Sequence, residues 1–156
     1  MTRFKLVCIG DGATGKTCML ITYAKNKCDD YDRLRPLSYP DSHVILIGYA
    51  IDNHVSFNNV KEKWQPEVLH FCPKTPIILV GLKIDLRGDP ETLERLKKRN
   101  ENIISSDQGK QLATEINAFS YIECSAKTRE NLKDVFQESV RAAKSRKSSG
   151  GKCILL

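Results

Sequence analysis

Apolar residues along the chain are grouped into short blocks that are separated by polar and glycine-rich segments. Three of these blocks are almost continuously apolar, which is typical of strands with both faces buried in a parallel sheet, and a shorter fourth block follows later in the chain. The strands predicted from this pattern cover residues 3–9, 44–51, 76–80 and 121–123.

Between the predicted strands, apolar side chains recur every three or four residues, which indicates amphipathic helices. The predicted helices cover residues 15–27, a segment capped by Ser56 and bent at Pro66, residues 90–99 behind an Asp89 cap, residues 107–116, and residues 132–143. Residues 28–43 contain two prolines and four aspartates without a clear period, and we expect an irregular connection there. Because strands alternate with helices, we expect an α/β fold with a doubly wound, mainly parallel sheet.

The 156 residues are 40% hydrophobic and 28% charged, which is typical of one soluble domain. The net charge of +6 is concentrated near the C-terminus, where five basic residues and no acidic residue follow residue 138. We therefore expect a folded domain over residues 1–143 and a basic, flexible tail over residues 144–156. No apolar run approaches the roughly 18 residues of a membrane span, and Arg3 and Lys5 interrupt the N-terminal apolar residues, so we expect a cytoplasmic protein.

The six cysteines lack the CxxC or CxxH spacing of a metal site. Cys8, Cys18, Cys72 and Cys124 lie in or beside apolar segments, and we interpret them as buried thiols in a reducing compartment. The three histidines are not paired by spacing, and we assign them no role.

A glycine-rich motif, GDGATGKT at residues 10–17, matches GxxxxGK[ST] and lies between a predicted strand and a predicted helix. Glycines allow several backbone N–H groups to converge on one anion, and the helix N-terminus adds partial positive charge. Lys16 would neutralise phosphate oxygens, and the Thr17 hydroxyl would ligate Mg²⁺. The motif predicts a nucleotide phosphate site, and the alternative is an accidental glycine turn before a helix.

Two further motifs follow strands and indicate which base is bound. The sequence GLKIDL at residues 81–86 comes after the third strand, at the edge where ligands bind in open α/β sheets. The Asp85 carboxylate can accept hydrogen bonds from guanine N1–H and the exocyclic amine, and the Lys83 stem can lie along the base. After the last strand, the Ala126 N–H can donate to guanine O6, and Lys127 can close the site. Together these motifs predict guanine recognition and disfavour an ATP-dependent P-loop kinase.

These motifs, together with YDRLRPLSYPD, KWQPEVLHFCP and PIILVG, resemble the Rho family within the Ras superfamily of small GTPases, over essentially the whole chain. The resemblance implies a P-loop NTPase fold, a GTP/GDP signalling switch for the cytoskeleton, and an insert helix at residues 90–99. It also implies roles for individual residues. The phosphate and Mg²⁺ cradle would comprise Gly12, Ala13, Thr14, Gly15, Lys16, Thr17 and Cys18, and the guanine site would comprise Lys83, Asp85, Ser125, Ala126 and Lys127.

The sequence departs from the family in two places. Family members carry an effector loop with a Mg²⁺-binding threonine, two strands, and a DTAGQ stretch with the water-orienting glutamine, whereas here Lys27 leads through Asp29 and Asp30 directly into YDRLRPLSYP. Asp29 and Asp30 would lie about 20 Å from the phosphate loop along the predicted helix, too far to replace the missing carboxylate. Lys16 is then the remaining catalytic residue. Leu82 stands where relatives have Asn or Thr, and the lost hydrogen bonds, about 0.5–1.5 kcal/mol each, are expected to lower guanine affinity.

The missing strands also affect the expected topology. The first helix must now connect directly to the neighbouring strand on the other side, and if it keeps its family face, this crossover is left-handed, against a preference of about 98%. Residues 28–43 are then expected to pass beneath the sheet. The strand at residues 3–9 would be an unprotected edge, so we expect a protein that is less stable than its relatives or that needs a partner.

The last four residues, Cys153-Ile-Leu-Leu, match a CaaX box that ends in leucine. The motif predicts a geranylgeranyl group on Cys153 and removal of the last three residues, and the family resemblance adds carboxyl methylation. Because one lipid anchors weakly, the basic tail would supply a second signal on anionic lipid at the cytoplasmic face of the plasma membrane. A nucleic-acid patch is disfavoured, because the tail has no interleaved aromatic residues.

Two functions from different classes are therefore open. The first is a prenylated, guanine-nucleotide-binding GTPase of Rho type with impaired hydrolysis and effector binding, whose partners include exchange factors, dissociation-inhibitor-type escorts and prenyltransferase. The second is a shortened chain that binds no nucleotide and sequesters Rho regulators as a prenylated decoy. The YDRLRPL segment resembles part of the second switch, which such regulators contact.

Overall fold

The structure, a computed structural model, describes residues 3–24 and 39–148 and contains a four-stranded parallel sheet. The strands are β1 (Leu6–Ile9), β2 (Val44–Ala50), β3 (Ile77–Leu82) and β4 (Ser120–Cys124), and their spatial order follows the chain. Each neighbouring pair is parallel. The predicted α/β class with a mainly parallel sheet is confirmed.

Six α-helices connect or follow these strands within the described residues. A bent helical segment between β2 and β3 consists of α2 (His54–Asn59), a π-helical turn (Val60–Trp64) and α3 (Gln65–Phe71), with Pro66 in the first turn of α3. The remaining helices are α1 (Lys16–Ala24), α4 (Pro90–Lys98), α5 (Ser106–Glu115) and α6 (Leu132–Ser148), and a 3₁₀ turn (Ile84–Gly88) precedes α4. None of the helices in residues 3–24 and 39–148 has the length and apolar character needed to cross a bilayer.

Helices cover both faces of the sheet, because successive strand residues point to opposite sides. On the first face, Ile47 of β2 packs in one cluster with Trp64 of the bent helical segment and with residues of α5. On the second face, Leu46 packs with Met19 of α1 and with residues of α6. The sheet is therefore doubly wound, with a separate apolar core on each face.

The crossover from β1 to β2 has the opposite hand to the two crossovers that follow it. All three step in the same direction across the sheet, because the strand order follows the chain. The bent helical segment and α5 lie on the first face, whereas α1 lies on the second. About 98% of parallel crossovers are right-handed, so we assign the right hand to the two crossovers that agree. The β1–α1–β2 unit, which has the opposite hand, is then left-handed. This is the arrangement expected from the missing strands.

The chain re-enters the described structure at the base of the sheet, where the strands begin. Tyr39 belongs to the core of the first face, opposite to α1. A turn at Pro40 and Asp41 follows, and the His43 N–H donates to the Lys5 carbonyl oxygen just before β2 starts. Residues 25–38 lie outside the described residues. The predicted passage of residues 28–43 beneath the sheet and the YDRLRPLSYP segment fall mostly within that range. The prediction that β1 is an unprotected edge also depends on it.

Two helix ends differ from the sequence prediction. The helix after β2 begins at His54, with Asn53 as its cap: the Asn53 side chain accepts from the Ser56 N–H, and the Ser56 hydroxyl donates back to the Asn53 carbonyl oxygen. The prediction that Ser56 is the cap is therefore wrong. The last helix continues to Ser148, so residues 144–148 are helical rather than part of a flexible tail.

The cysteines divide by exposure. Cys72 and Cys124 are buried as predicted, Cys8 is half-buried, and Cys18 is exposed. The expectation that all four are buried is wrong for Cys18, because it lies on the outer side of the first turn of α1, whereas the neighbouring Met19 points into the core.

Candidate nucleotide-binding site

The glycine-rich motif forms a tight loop between the end of β1 and the start of α1. Gly10 has a φ of +143°, and a Cβ atom there would overlap the Gly48 carbonyl oxygen, so only glycine allows the loop to lie this close to β2. Ala13 and Gly15 also have positive φ values, of 60° and 98°. These turns direct the chain around the N-terminus of α1, where unpaired N–H groups favour an anion.

Lys16 is buried in this loop, with 7% of its surface exposed. Its ammonium group donates to the Asp11 carbonyl oxygen at 2.5 Å and lies 3.3 Å from the Thr14 hydroxyl. Neither partner carries a negative charge. The structure therefore holds a cation beside the loop, as a phosphate ligand requires.

Thr17, the second residue of α1, is half-buried. No group of three or more His, Cys, Asp or Glu side chains in residues 3–24 and 39–148 could hold a metal ion. Mg²⁺ commonly binds through one or two protein oxygens together with nucleotide phosphates and water. The Thr17 hydroxyl is an oxygen ligand of the type that such an ion, brought with a nucleotide, could use.

Lys83 connects the base motif to the phosphate loop. It has a left-handed backbone conformation, with a φ of 64°, and its ammonium group donates to the Ala13 carbonyl oxygen at 2.8 Å. The Lys83 stem passes Gly15, where an added Cβ atom would lie 3.6 Å from the Lys83 Cε atom. The Lys83 side chain therefore lies along the glycine-rich loop.

Asp85 is oriented by Ser125, which sequence reasoning assigned to the site only by family resemblance. The buried Ser125 hydroxyl donates to Asp85 Oδ1 at 2.6 Å and accepts from the Thr128 N–H at 3.1 Å. One carboxylate oxygen of Asp85, Oδ1, thus accepts a hydrogen bond from the protein, whereas Oδ2 has no protein donor among the described residues. Ala126 and Lys127 follow in the turn after β4, half-buried and exposed respectively.

Leu82 is fully buried at the carboxyl end of β3, in the apolar core of the second face. Its Cδ1 atom would lie 2.9 Å from a Cβ atom on Gly48, so the absence of a side chain at Gly48 makes room for the leucine. Leu82 therefore contributes packing at this position and cannot donate or accept a hydrogen bond.

A polar network that sequence reasoning missed joins the base motif to β4. Arg87, in the 3₁₀ turn that carries Asp85, donates to both carboxylate oxygens of Glu123 at 2.6 Å. Ser106 donates to Glu123 at 2.9 Å, and the Tyr121 hydroxyl donates to it at 2.5 Å. Glu123 immediately precedes the Cys124-Ser125 segment, so the network fixes the two predicted base motifs relative to each other. The only signal in the sequence was a charged residue, Glu123, near the end of β4.

The network changes the ionisation of its members. Burial acts to raise the pKa of Glu123, but hydrogen bonds from Arg87, Tyr121 and Ser106 outweigh it and lower that pKa below the ordinary value. Tyr49 lies 2.7 Å from Tyr121, oxygen to oxygen, and burial raises the pKa of Tyr49 to about 12. Both phenols therefore stay protonated and Glu123 stays ionised at neutral pH.

Asp11, inside the phosphate loop, is held by the bent helical segment. Its carboxylate accepts from the Asn59 side chain and from the indole N–H of Trp64, each at 2.7 Å. Trp64 is the only tryptophan in the sequence and is 2% exposed. A change in the loop would therefore alter the hydrogen bond of this single fluorophore.

Comparison with known proteins gives consistent matches. The family model described as Ras family matches residues 28–145. GTP-binding protein rho1 of Schizosaccharomyces pombe is 44% identical over 197 aligned residues, covering 99% of this chain and 98% of the relative. GTP-binding protein RHO1 of Candida albicans is 43% identical over 190 residues (99% and 96%), and GTP-binding protein rho5 of Schizosaccharomyces pombe is 44% identical over 174 residues (90% and 87%).

The alignment with rho1 also shows the shortening. It spans 197 positions, 41 more than the 156 residues of this chain, so at least that many positions of the alignment have no residue here. The relative thus carries residues that this chain lacks, which is consistent with the shortening inferred from the sequence.

Proposed function

The chain belongs to the Rho family of small GTPases, and we propose that it binds GDP and GTP at the carboxyl end of its sheet but hydrolyses GTP slowly. The observation that carries this proposal is the pair of contacts Lys83–Ala13 and Ser125–Asp85, which bring three distant sequence motifs into one site. A nucleotide bound there would contact the phosphate loop and both base motifs at once.

Each motif has a separate task in this proposal. The loop N–H groups and the Lys16 ammonium group hold the phosphates, and Thr17 supplies a protein oxygen to Mg²⁺, which offsets phosphate charge when bound. The Asp85 carboxylate, oriented by Ser125, accepts from the N1–H and amine of guanine. Adenine offers no such pair of donors on that edge, so the site selects guanine.

Slow hydrolysis follows from the shortened sequence. By comparison with the family pattern, the chain lacks the glutamine that orients the attacking water and the threonine and aspartate that support Mg²⁺. What remains is binding and charge stabilisation by Lys16. We expect tight effector binding to be lost as well, because the effector loop belongs to the same missing block.

Nucleotide binding can be measured through Trp64. Titration with GDP in Mg²⁺ should change the tryptophan emission through the Asp11 contact, with a dissociation constant well below the millimolar range, and GTP but not ATP should compete. Lys16→Ala should abolish the change, whereas Lys110→Ala, on the exposed side of α5, should leave it intact. Affinity no better than millimolar, in a chain that melts cooperatively, would refute nucleotide binding and favour the decoy function.

Hydrolysis is tested separately by loading the protein with GTP and following phosphate release in a single turnover. We expect release far slower than from rho1 of Schizosaccharomyces pombe measured in parallel. Release at the rate of that relative would contradict the proposal.

We also propose that Cys153 is geranylgeranylated and that the chain acts at the cytoplasmic face of the plasma membrane, where exchange factors and escorts of the family could bind it. Cys153 and Lys152 lie outside the described residues, so support comes from the CILL motif and the basic tail. Mass spectrometry of the protein expressed in eukaryotic cells, with Cys153→Ser as the control, should show the prenyl mass on Cys153 only.

A further inference from the structure

Four basic side chains from three segments lie at the base of the sheet, where the strands begin. They are Arg3 and Lys5 before β1, Lys74 before β3, and Arg146 near the end of α6, and all four residues are exposed. We call this group the basal surface. It lies at the opposite end of the sheet from the phosphate loop and the base motifs, which follow the strands.

Hydrogen bonds join these segments to one another. The Lys5 ammonium group donates to the Pro40 carbonyl oxygen at 2.7 Å. Arg146 donates to the Ser42 carbonyl oxygen at 2.5 Å and to the Thr75 hydroxyl at 3.3 Å. The turn at residues 39–43 therefore lies between the segments that carry Lys5, Arg146 and Lys74.

Cys72 lies close to two of these cations. Burial raises the pKa of the Cys72 thiol, and the positive charges of Arg146 and Lys5 partly offset that rise. Both cations are therefore near one buried sulfur atom. Lys74 is in the turn that follows, which is closed by a hydrogen bond from the Thr75 N–H to the Cys72 carbonyl oxygen.

Acidic groups near the basal surface are few among the described residues. Asp41 is exposed in the same turn, and Glu67 accepts a hydrogen bond from the Tyr39 hydroxyl at 2.9 Å. The four cations outnumber these two carboxylates, one of which is already engaged. Counted over residues 3–24 and 39–148, the basal surface therefore carries a net positive charge.

We propose that the basal surface is a docking face for an anionic lipid bilayer, which orients the domain with its nucleotide site away from the membrane. This inference rests on the lipid anchor of the proposed function. The described part of α6 ends at Ser148, and the five residues from there to Cys153 can span at most about 17 Å. A lipid on Cys153 therefore keeps the end of α6, and Arg146 with it, close to the headgroups.

Proximity matters because the attraction of basic residues to anionic lipid decays within a Debye length, about 8 Å at physiological salt. Tail residues alone would leave the domain free to rotate about its anchor. The four basal cations favour one orientation, since only that orientation brings them within range of the lipid charge.

The test compares two charge-reversed variants of the geranylgeranylated protein. The basal variant carries Arg3→Glu, Lys5→Glu and Lys74→Glu; Arg146 is kept because it holds α6 in place. The matched control carries Lys97→Glu, Lys98→Glu and Arg99→Glu at the exposed end of α4, which follows the carboxyl end of β3. Binding is measured by co-sedimentation with phosphatidylcholine vesicles with and without 30% phosphatidylserine, and cooperative thermal unfolding verifies that each variant is folded.

We expect the basal variant to lose roughly 100-fold in partitioning to phosphatidylserine vesicles, since each basic residue near the surface contributes about fivefold. The control variant should lose less than threefold, and all proteins should bind phosphatidylcholine vesicles equally. Equal losses in both variants, or an unchanged basal variant, would overturn the docking face. If wild type and Cys153→Ser bind phosphatidylcholine vesicles equally, the lipid anchor is what fails, whereas the basal and control variants of the unprenylated chain still test the surface.

Discussion

At the scale of single residues, Leu82 shows how one substitution changes what a position contributes. The leucine is buried beside Gly48 and adds apolar packing at the end of β3. By the family resemblance, a polar side chain at this position would hydrogen-bond to the glycine-rich loop and approach the base. Leu82 thus represents an exchange of a ligand contact for packing in the apolar core.

Restoring a polar side chain should reverse that exchange. We expect Leu82→Asn to slow GDP release about 2- to 10-fold, the equivalent of one regained hydrogen bond, and to lower the stability of the nucleotide-free protein by about 1–3 kcal/mol because an amide enters an apolar core. Release is followed with a fluorescent GDP analogue, and stability by urea unfolding.

Leu82→Ala is the control for this prediction, because it removes the same packing without supplying a donor or acceptor. It should be destabilised and should not slow release. If Leu82→Asn releases GDP as fast as the wild type, the leucine is not what limits affinity.

At the scale of secondary-structure elements, the Arg87–Glu123 pair determines how the 3₁₀ turn meets β4. The side chain of Glu123 is 12% exposed and that of Arg87 33%, so the pair is partly shielded from water, and the carboxylate also accepts from Tyr121 and Ser106. The pair thereby attaches the 3₁₀ turn, which carries Asp85, to β4, which leads to Ser125.

Neutralising Glu123 should loosen this attachment. We expect Glu123→Gln to lower the free energy of unfolding by about 2–3 kcal/mol, less than a fully buried pair because of the exposure of Arg87, and to accelerate GDP release. Tyr49→Phe, which removes only the outermost hydroxyl of the network, should cost about 1 kcal/mol and leave release nearly unchanged. Equal effects of the two variants on release would contradict a role in aligning the base motifs.

The same residue predicts a pH dependence. The pKa of Glu123 in the folded protein lies below its ordinary value of 4.5, so its stabilising contribution is present above that pH and is lost as the pH falls through the lower, folded-state pKa. The difference in unfolding free energy between wild type and Glu123→Gln should therefore be constant at neutral pH and shrink below about pH 4.5. Urea unfolding of both proteins at several pH values measures it, and a difference that persists unchanged at pH 3 would refute the assignment.

At the scale of the whole molecule, the left-handed β1–α1–β2 unit is the main consequence of the shortened sequence. Helix α1 packs on the second face, whereas the helices of the next two crossovers pack on the first face, although all three crossovers step in the same direction. This hand is rare because the strand twist does not favour it. The domain therefore keeps a locally unfavourable connection that the remaining packing must compensate.

Reinsertion of the missing block tests this account. A chimera that carries, between Lys27 and Asp29, the corresponding block of the Schizosaccharomyces pombe rho1 sequence should melt several degrees higher than the wild type and hydrolyse GTP faster. Insertion of a Gly/Ser linker of the same length is the control and should do neither. A chimera no more stable than the linker variant would show that the connection carries no cost.

The sequence predicted those features that depend on local signals. Apolar runs located the four strands of the sheet, and the glycine-rich motif located the tight loop before α1, because both patterns are contained in a few adjacent residues. The Asp89 cap and Pro90 start of α4 were predicted for the same reason, and the structure has both.

What the sequence could not predict depends on contacts between distant residues. The end of α6 is fixed by Arg146 bonding to Ser42 and Thr75, which are far away in the chain, so the Ser-rich composition alone indicated a flexible tail. The Glu123 network likewise joins residues from four elements. Asn53 was missed as a cap because Ser56, three residues later, has an equally suitable hydroxyl.

The attachment of α6 also decides how force enters the domain. Arg146 ties the last turns of that helix to the segments that lead into β2 and β3, the two central strands of the sheet. A pull on the C-terminal tail is thus transmitted to the mechanically strongest part of the molecule, instead of peeling an outer strand away.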